Sequence, residues 1–221
     1  MSNDNQPIIV EPEKAAQYSI IWLHGLGADG NDFVPIVNEL NPLKHPIRFV
    51  FPHAPIRPVT LNQGMMMRAW FDIIAIDPNA PEDIQGLQAS QKLIHELIAT
   101  EKNKGIEYQN IFLAGFSQGG ALALYTGLRY PEQLAGVIAL SCFLPSYQQL
   151  LTERSLVNNE IPIFMAHGNA DNILPMILGQ ATKTFLQQAG YPVEWHEYPM
   201  QHQVCIEEIQ AVSTFIHRNL K

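Results

Sequence analysis

Asn110-Ile-Phe-Leu-Ala-Gly-Phe-Ser-Gln-Gly-Gly120 carries the chain from an apolar β-type run (Ile111 to Ala114), through Gly-Phe-Ser-Gln-Gly, into a helical run (Ala121 to Tyr130). A turn this tight between strand and helix forces its middle residue into a strained conformation and pushes that side chain into the open. The flanking glycines are required because a Cβ there would collide with the neighbouring strand or helix. Ser117 is thereby presented as an exposed nucleophile. The backbone N–H that follows it, on Gln118, lies at a helix N-terminus, where developing negative charge is favoured.

Working outward, the same alternation recurs along the chain. Strands read at Tyr18–Leu23, Arg48–Pro52, Ile111–Ala114, Gly136–Ser141, Ile161–Ala166 and Val193–Tyr198. Helices read at Asp32–Leu40, Pro81–Asn103, Ala121–Tyr130, Pro175–Gln188 and Cys205–Leu220. Alternating β and α elements predict an α/β class: a mainly parallel central sheet with helices on both faces. No large cap domain fits between these elements, so a shallow, open site is expected. The 221 residues suit a single domain over 1–221, with 1–17 as an N-terminal extension or edge segment.

A nucleophilic serine needs a base, and the base needs a carboxylate to orient it. On a strand–turn–helix elbow the acid and then the base follow later in the chain. After Ser117 the only aspartate is Asp171, and the histidines are His167, His196, His202 and His217. Asp171 follows the strand in Ile161-Pro-Ile-Phe-Met-Ala-His-Gly-Asn-Ala-Asp171, on the sheet edge where sites are built. Its alternative is a cap on the helix from Pro175. His202 lies between the last strand and the last helix, on the same edge. His196 sits inside a strand and reads as structural; His217 is near a helix C-terminus. His167 competes as base, but it precedes Asp171 and would reverse the expected order. The catalytic set is therefore Ser117, Asp171 and His202.

Ile20-Ile-Trp-Leu-His-Gly-Leu-Gly-Ala-Asp-Gly30 contains a formal G-x-G-x-x-G over Gly25 to Gly30. A nicotinamide-dependent oxidoreductase would use it, with an acidic residue about twenty positions on for the ribose. The second strand is instead followed by His53-Ala-Pro-Ile-Arg-Pro-Val59, without an acid. The competing reading makes this loop half of an oxyanion hole, with Leu26 N–H joining Gln118 N–H. It accounts for both glycine-rich turns and is preferred.

The net charge of −8 and the lack of basic clusters argue against nucleic acid as a partner. Met1-Ser-Asn-Asp-Asn-Gln-Pro7 has neither a basic n-region nor an apolar h-region, so no secretory signal is expected. No apolar run approaches the ~18 residues of a membrane span. Cys142 and Cys205 lack metal-ligand spacing, Cys142 reads as a buried thiol, and neither demands an oxidising compartment. A cytoplasmic location is the expectation, with no metal and no cofactor.

One segment breaks the pattern. Ala54 to Ile76 is Pro-rich, then apolar and Met-rich, and its length suggests a functional loop. Met65, Met66 and Met67 are expected to form an apolar lip near Ser117 that grips acyl chains of varied shape. For Trp70, Phe71 and Ile73 to Ile76 an extra hairpin packed on the core is the alternative.

These segments together resemble the acyl-protein thioesterase/carboxylesterase family of α/β-hydrolases, also described as lysophospholipase-like. The resemblance rests on Leu23-His-Gly-Leu-Gly27, Pro52-His-Ala-Pro-Ile-Arg-Pro-Val-Thr-Leu-Asn62, Trp70-Phe-Asp72, Gly115-Phe-Ser-Gln-Gly-Gly-Ala-Leu122 and Leu140-Ser-Cys142, in the family's order from about Ser19 onward. It implies an α/β-hydrolase fold, a Ser117–His202–Asp171 triad, and Leu26 and Gln118 as oxyanion donors. It also implies Trp70 beside the acyl site. The implied activity is hydrolysis of carboxylic esters or thioesters of acyl chains, with lysophospholipids as alternative substrates and acylated proteins among the partners. Peripheral membrane contact and a homodimer fit an apolar lip. Asn169, Asn172 and Gln203 depart from the family's usual residues around the acid and the base, which bears on substrate preference. The rival from a different class is a catalytically silent binding protein on the same fold.

Overall fold

The structure, a computed structural model, describes residues 6–76 and 80–220. Residues 1–5 of the N-terminal segment therefore lie outside the described part. Nine strands are described: β1 (Ile8–Val10), β2 (Tyr18–Leu23), β3 (Ile47–Phe51), β4 (Ile56–Val59), β5 (Met65–Arg68), β6 (Ile111–Phe116), β7 (Gly136–Leu140), β8 (Ile163–Gly168) and β9 (Val193–Tyr198). The α-helices are α1 (Val37–Leu40), α2 (Ile84–Asn103), α3 (Gln118–Gly127), α4 (Tyr147–Glu153), α5 (Met176–Gln188) and α6 (Ile206–Arg218).

Seven strands form one sheet in the order β1-β3-β2-β6-β7-β8-β9. Every pair is parallel except β1 with β3. The side-chain period of two sorts each strand between two cores. Ile21, Leu23, Leu113, Val137, Ala139 and Met165 face the helices α2, α3 and α5. Their neighbours Ile20, Trp22, Phe112, Ala114, Ile138 and Phe164 face α6 and the short α1. Because both faces are covered, the central strands read as unbroken apolar runs.

Three parts of the architecture differ from the sequence-based expectation. The helix expected over Asp32–Leu40 is a 3-10 turn (Val34–Ile36) followed by the four residues of α1. Pro35 in the run and the packing of Phe33 on Trp22 and Phe116 hold it short. The segment 54–76 does contain a hairpin, but it is β4 with β5, pairing Val59 with Met65 and Arg57 with Met67. Its turn closes through Gln63 and Gly64, both left-handed at φ 56° and 79°. Ile73 to Ile76 form no strand. Third, α4 lies where the sequence pattern predicts no helix.

Candidate active site

Ser117 follows β6 and caps α3 with φ 54° and ψ −121°, a strained backbone for a non-glycine residue. The elbow is held by backbone contact. A Cβ on Gly119 would stand 2.1 Å from the Leu23 carbonyl oxygen, and one on Gly115 would stand 2.4 Å from the Gly119 carbonyl carbon. Ser117 N–H donates to the Leu140 carbonyl at 2.8 Å, which ties the turn to β7.

Asp171 and His202 arrive from the loops after β8 and β9, both at the C-terminal edge of the sheet. Ser117 Oγ and His202 Nε2 are 2.9 Å apart, and His202 Nδ1 lies 2.6 Å from Asp171 Oδ2. The His202 ring packs on Phe116 with centroids 4.8 Å apart. The other carboxylate oxygen, Asp171 Oδ1, accepts from Ile173 N–H at 2.9 Å and Leu174 N–H at 2.8 Å. The aspartate is thus anchored by its own loop, with one oxygen left for the imidazole.

His167, the competing base of the sequence reading, is fully buried. Its Nε2 bridges the Leu174 carbonyl at 2.9 Å and Asp171 Oδ2 at 3.3 Å, so it braces the aspartate loop and does not reach Ser117. Burial pushes its pKa below the usual histidine value. His196 stacks on Phe164 and bonds Glu194, and His217 lies near Asn41 on the far side of α6.

The loop after β2 comes beside the serine: a Cβ on Gly25 would meet Ser117 Cβ at 3.6 Å. Gly27 N–H is taken by the Arg68 carbonyl at 2.9 Å, and Ala28 N–H reaches the Gly25 carbonyl at 3.3 Å. Leu26 N–H donates to no acceptor among the described residues. Gln118 N–H, in the first helical position, has no intrahelical acceptor available. The loop does not run directly into a helix of its own as a dinucleotide-binding turn does; among the described residues the next α-helix along the chain starts at Val37.

Trp70 is 1 % exposed and sits behind the site. Its Nε1–H donates to the His24 carbonyl at 2.9 Å, and its backbone N–H donates to Gln118 Oε1 at 2.8 Å. Gln118 Nε2 in turn donates to the Phe71 carbonyl at 2.7 Å. Met65 and Met66 are 63 % and 61 % exposed on the hairpin, while Met67 lies near Gly27. None of these four lines the apolar cavity between α2 and α5. That cavity, of about 320 Å³, runs between Phe71 to Ala75, Leu87, Phe143 to Pro145, and the α5 residues Leu178, Ala181 and Phe185. Sequence reasoning did not anticipate this lining, nor the side-chain ties of His24 and Gln118. The one usable signal was the apolar Ile73–Ile76 run.

A family model described as phospholipase/carboxylesterase matches residues 4–220. Acyl-protein thioesterase 1 of Neurospora crassa is 38 % identical over 97 % of this chain and 91 % of that protein. Acyl-protein thioesterase 1 of Mycosarcoma maydis is 38 % identical over 96 % of this chain and 95 % of its own length. Among solved structures, Arabidopsis thaliana SOBER1 superposes with a TM-score of 0.88 at 33 % identity, covering 93 % of this chain and 100 % of that one. Zea mays acyl-protein thioesterase 2 gives a TM-score of 0.87 at 30 % identity, over 97 % and 99 % of the two chains. The chain belongs to the phospholipase/carboxylesterase family and is a carboxylic ester hydrolase of the α/β-hydrolase type.

Proposed function

We propose that this protein hydrolyses acyl esters and thioesters through a covalent acyl-enzyme on Ser117, acting as one catalytic unit over 1–221. The observation that carries the reading is the hydrogen-bond chain from a strained serine through His202 to Asp171, at 2.9 and 2.6 Å. His202 Nε2 takes the Ser117 proton as Oγ attacks the carbonyl carbon. Asp171 holds the imidazole in the tautomer with its proton on Nδ1 and steadies the imidazolium that forms. The developing oxyanion is received by Leu26 N–H and Gln118 N–H; one such donor is worth about 3–4 kcal/mol. His202 then protonates the leaving alcohol or thiol. Water repeats the sequence on the acyl-enzyme, and no metal or organic cofactor takes part.

The acyl chain is assigned to the apolar cavity of about 320 Å³, at the small end of the roughly 300–1,000 Å³ range of ligand pockets. Two links support this. The Phe71 wall is hydrogen-bonded to Gln118, the residue after the nucleophile, and Phe143 follows Cys142, whose Sγ lies against Gly120. A narrow pocket suits one acyl chain, as in a simple ester, an acylated cysteine or a lysophospholipid. Exposed Ile56, Met65 and Met66 on the hairpin offer an apolar edge for peripheral contact with a lipid surface, or for a second copy in a homodimer. Two free cysteines, Cys142 and Cys205, suit a reducing, cytoplasmic setting.

The test is hydrolysis of p-nitrophenyl esters from acetyl to palmitoyl, and of one acyl thioester, by wild type and Ser117→Ala. Activity in the wild type with near-total loss in the variant is expected. Equal rates in both proteins would overturn the mechanism.

A further inference from the structure

His24 is 2 % exposed, lies one residue before the glycine beside the nucleophile, and has no part in proton transfer. Both of its ring nitrogens are nevertheless committed. Ala54 N–H donates to Nε2 at 3.0 Å, so Nε2 carries no proton and the ring proton is on Nδ1. Nδ1 lies 2.7 Å from the Gly25 carbonyl oxygen, which is therefore the acceptor of the Nδ1–H bond. Burial of the ring pushes its pKa down, which keeps the Nε2 lone pair free for Ala54. The Trp70 ring packs on the imidazole at 5.1 Å while Trp70 Nε1–H holds the His24 carbonyl. The ring has no freedom to turn.

The Gly25 carbonyl belongs to the same peptide unit as Leu26 N–H. No peptide bond among the described residues is cis, and in a trans unit C=O and N–H point in opposite directions. A donor that fixes the carbonyl therefore fixes the direction of the amide. We infer that His24 is a positioning residue of the oxyanion hole: its Nδ1–H holds the Gly25 carbonyl and so aims Leu26 N–H toward the space in front of Ser117. The inference rests on Leu26 N–H being an oxyanion donor. Without the ring bond, the Gly25 carbonyl keeps only the long 3.3 Å contact from Ala28 N–H, and the peptide is free to rotate away. Rotation would leave the ground-state complex intact and weaken the tetrahedral state, so the effect falls on kcat and leaves KM nearly unchanged.

Two substitutions separate this role from plain packing. His24→Asn places an amide NH₂ near the Nδ1 position and loses the acceptor for Ala54. His24→Gln places an amide near the Nε2 position, keeps that acceptor and loses the donor to Gly25. Each removes one of the two ring bonds, so comparable losses of thermal stability are expected. Activity should split: kcat within about threefold of wild type for His24→Asn, and a fall of roughly 10²-fold in His24→Gln, the scale of one lost oxyanion donor. An alkyl trifluoromethyl ketone, which forms a charged hemiketal on the serine, should bind His24→Gln more weakly by a similar factor. Equal kcat in the two variants, high or low, overturns the inference. Should His24→Gln fail to fold, a 10²-fold loss of kcat in folded His24→Asn overturns it equally. The underlying reading fails separately: the wild type would then bind the trifluoromethyl ketone no better than the matching methyl ketone.

Discussion

Glu208 occupies the third position of α6, is fully buried, and neither carboxyl oxygen meets a hydrogen-bond partner among the described residues. Burial pushes its pKa from 4.5 up to about 8; the Cys205 amide offsets part of that without bonding either oxygen. The folded state thus holds a proton that the unfolded chain releases near pH 4.5. The favourable contribution is complete below that pH and is lost as the pH rises toward 8. At about 1.4 kcal/mol per pH unit, the gap of some 3.5 units sets an upper bound of about 5 kcal/mol. A first-turn carboxylate also gains up to ~1 kcal/mol from the helix dipole, which brings the figure nearer 4. Glu208→Gln keeps the shape and removes the titration. Any cost of burying the amide is independent of pH and cancels in the slope. Thermal and urea unfolding of both proteins should be followed at pH 5, 6, 7 and 8. Relative to wild type, the variant should gain about 1 kcal/mol per unit, reaching roughly 10 °C in Tm across the range. The buried histidines are common to both proteins and drop out of the difference. A difference that stays flat within about 0.5 kcal/mol would refute the reasoning, because the carboxyl would then be ionised and satisfied throughout.

Three further outcomes are expected. Gly119→Ala drives a Cβ to 2.1 Å from the Leu23 oxygen, a backbone contact no rotamer relieves; it should cost more than about 3 kcal/mol, and an unchanged Tm would disprove the packing of the elbow. Ala181→Phe fills part of the cavity wall and should cut kcat/KM for palmitoyl esters at least ~10-fold while sparing acetyl esters, a loss of 1.4 kcal/mol or more; uniform losses along the series would move the acyl site elsewhere. Met65→Lys with Met66→Lys puts charge on the exposed edge of the hairpin; it should penalise long acyl substrates more than short ones in the same assay, and equal losses would remove the lip from the account.

The central strands were legible because burial on both faces leaves runs such as Ile111 to Ala114 without a polar break, and β2 and β9 fall at the residues read from sequence. The helix after Ser117 starts at Gln118, three residues before the Ala121 that the sequence pattern predicts. Gly119 and Gly120 are poor helix formers, and only close approach requires them there, of Leu23 at Gly119 and of Gly115 and Cys142 at Gly120. The β4–β5 hairpin was hidden by Pro58 and by three consecutive methionines, which show no alternation. Ser117, Asp171 and His202 could be chosen from chain order and sheet edge alone, and the structure brings their side chains within hydrogen-bonding distance. Contacts that depend on three-dimensional approach could not be read. His24 entered the sequence reading only through the glycine that follows it. Glu208 shares the helical spacing of Val212, Phe215 and Ile216, and its residue type concealed its place in that buried stripe.

The central claim is that Ser117 is an activated nucleophile. Its most direct test is labelling with a fluorophosphonate, followed by mass spectrometry of the digested protein, for wild type and Ser117→Ala side by side. One phosphonate per wild-type chain, on the peptide that contains Ser117, with none on the variant, is the expected result. An unlabelled wild type, or an adduct that persists in Ser117→Ala, would contradict it.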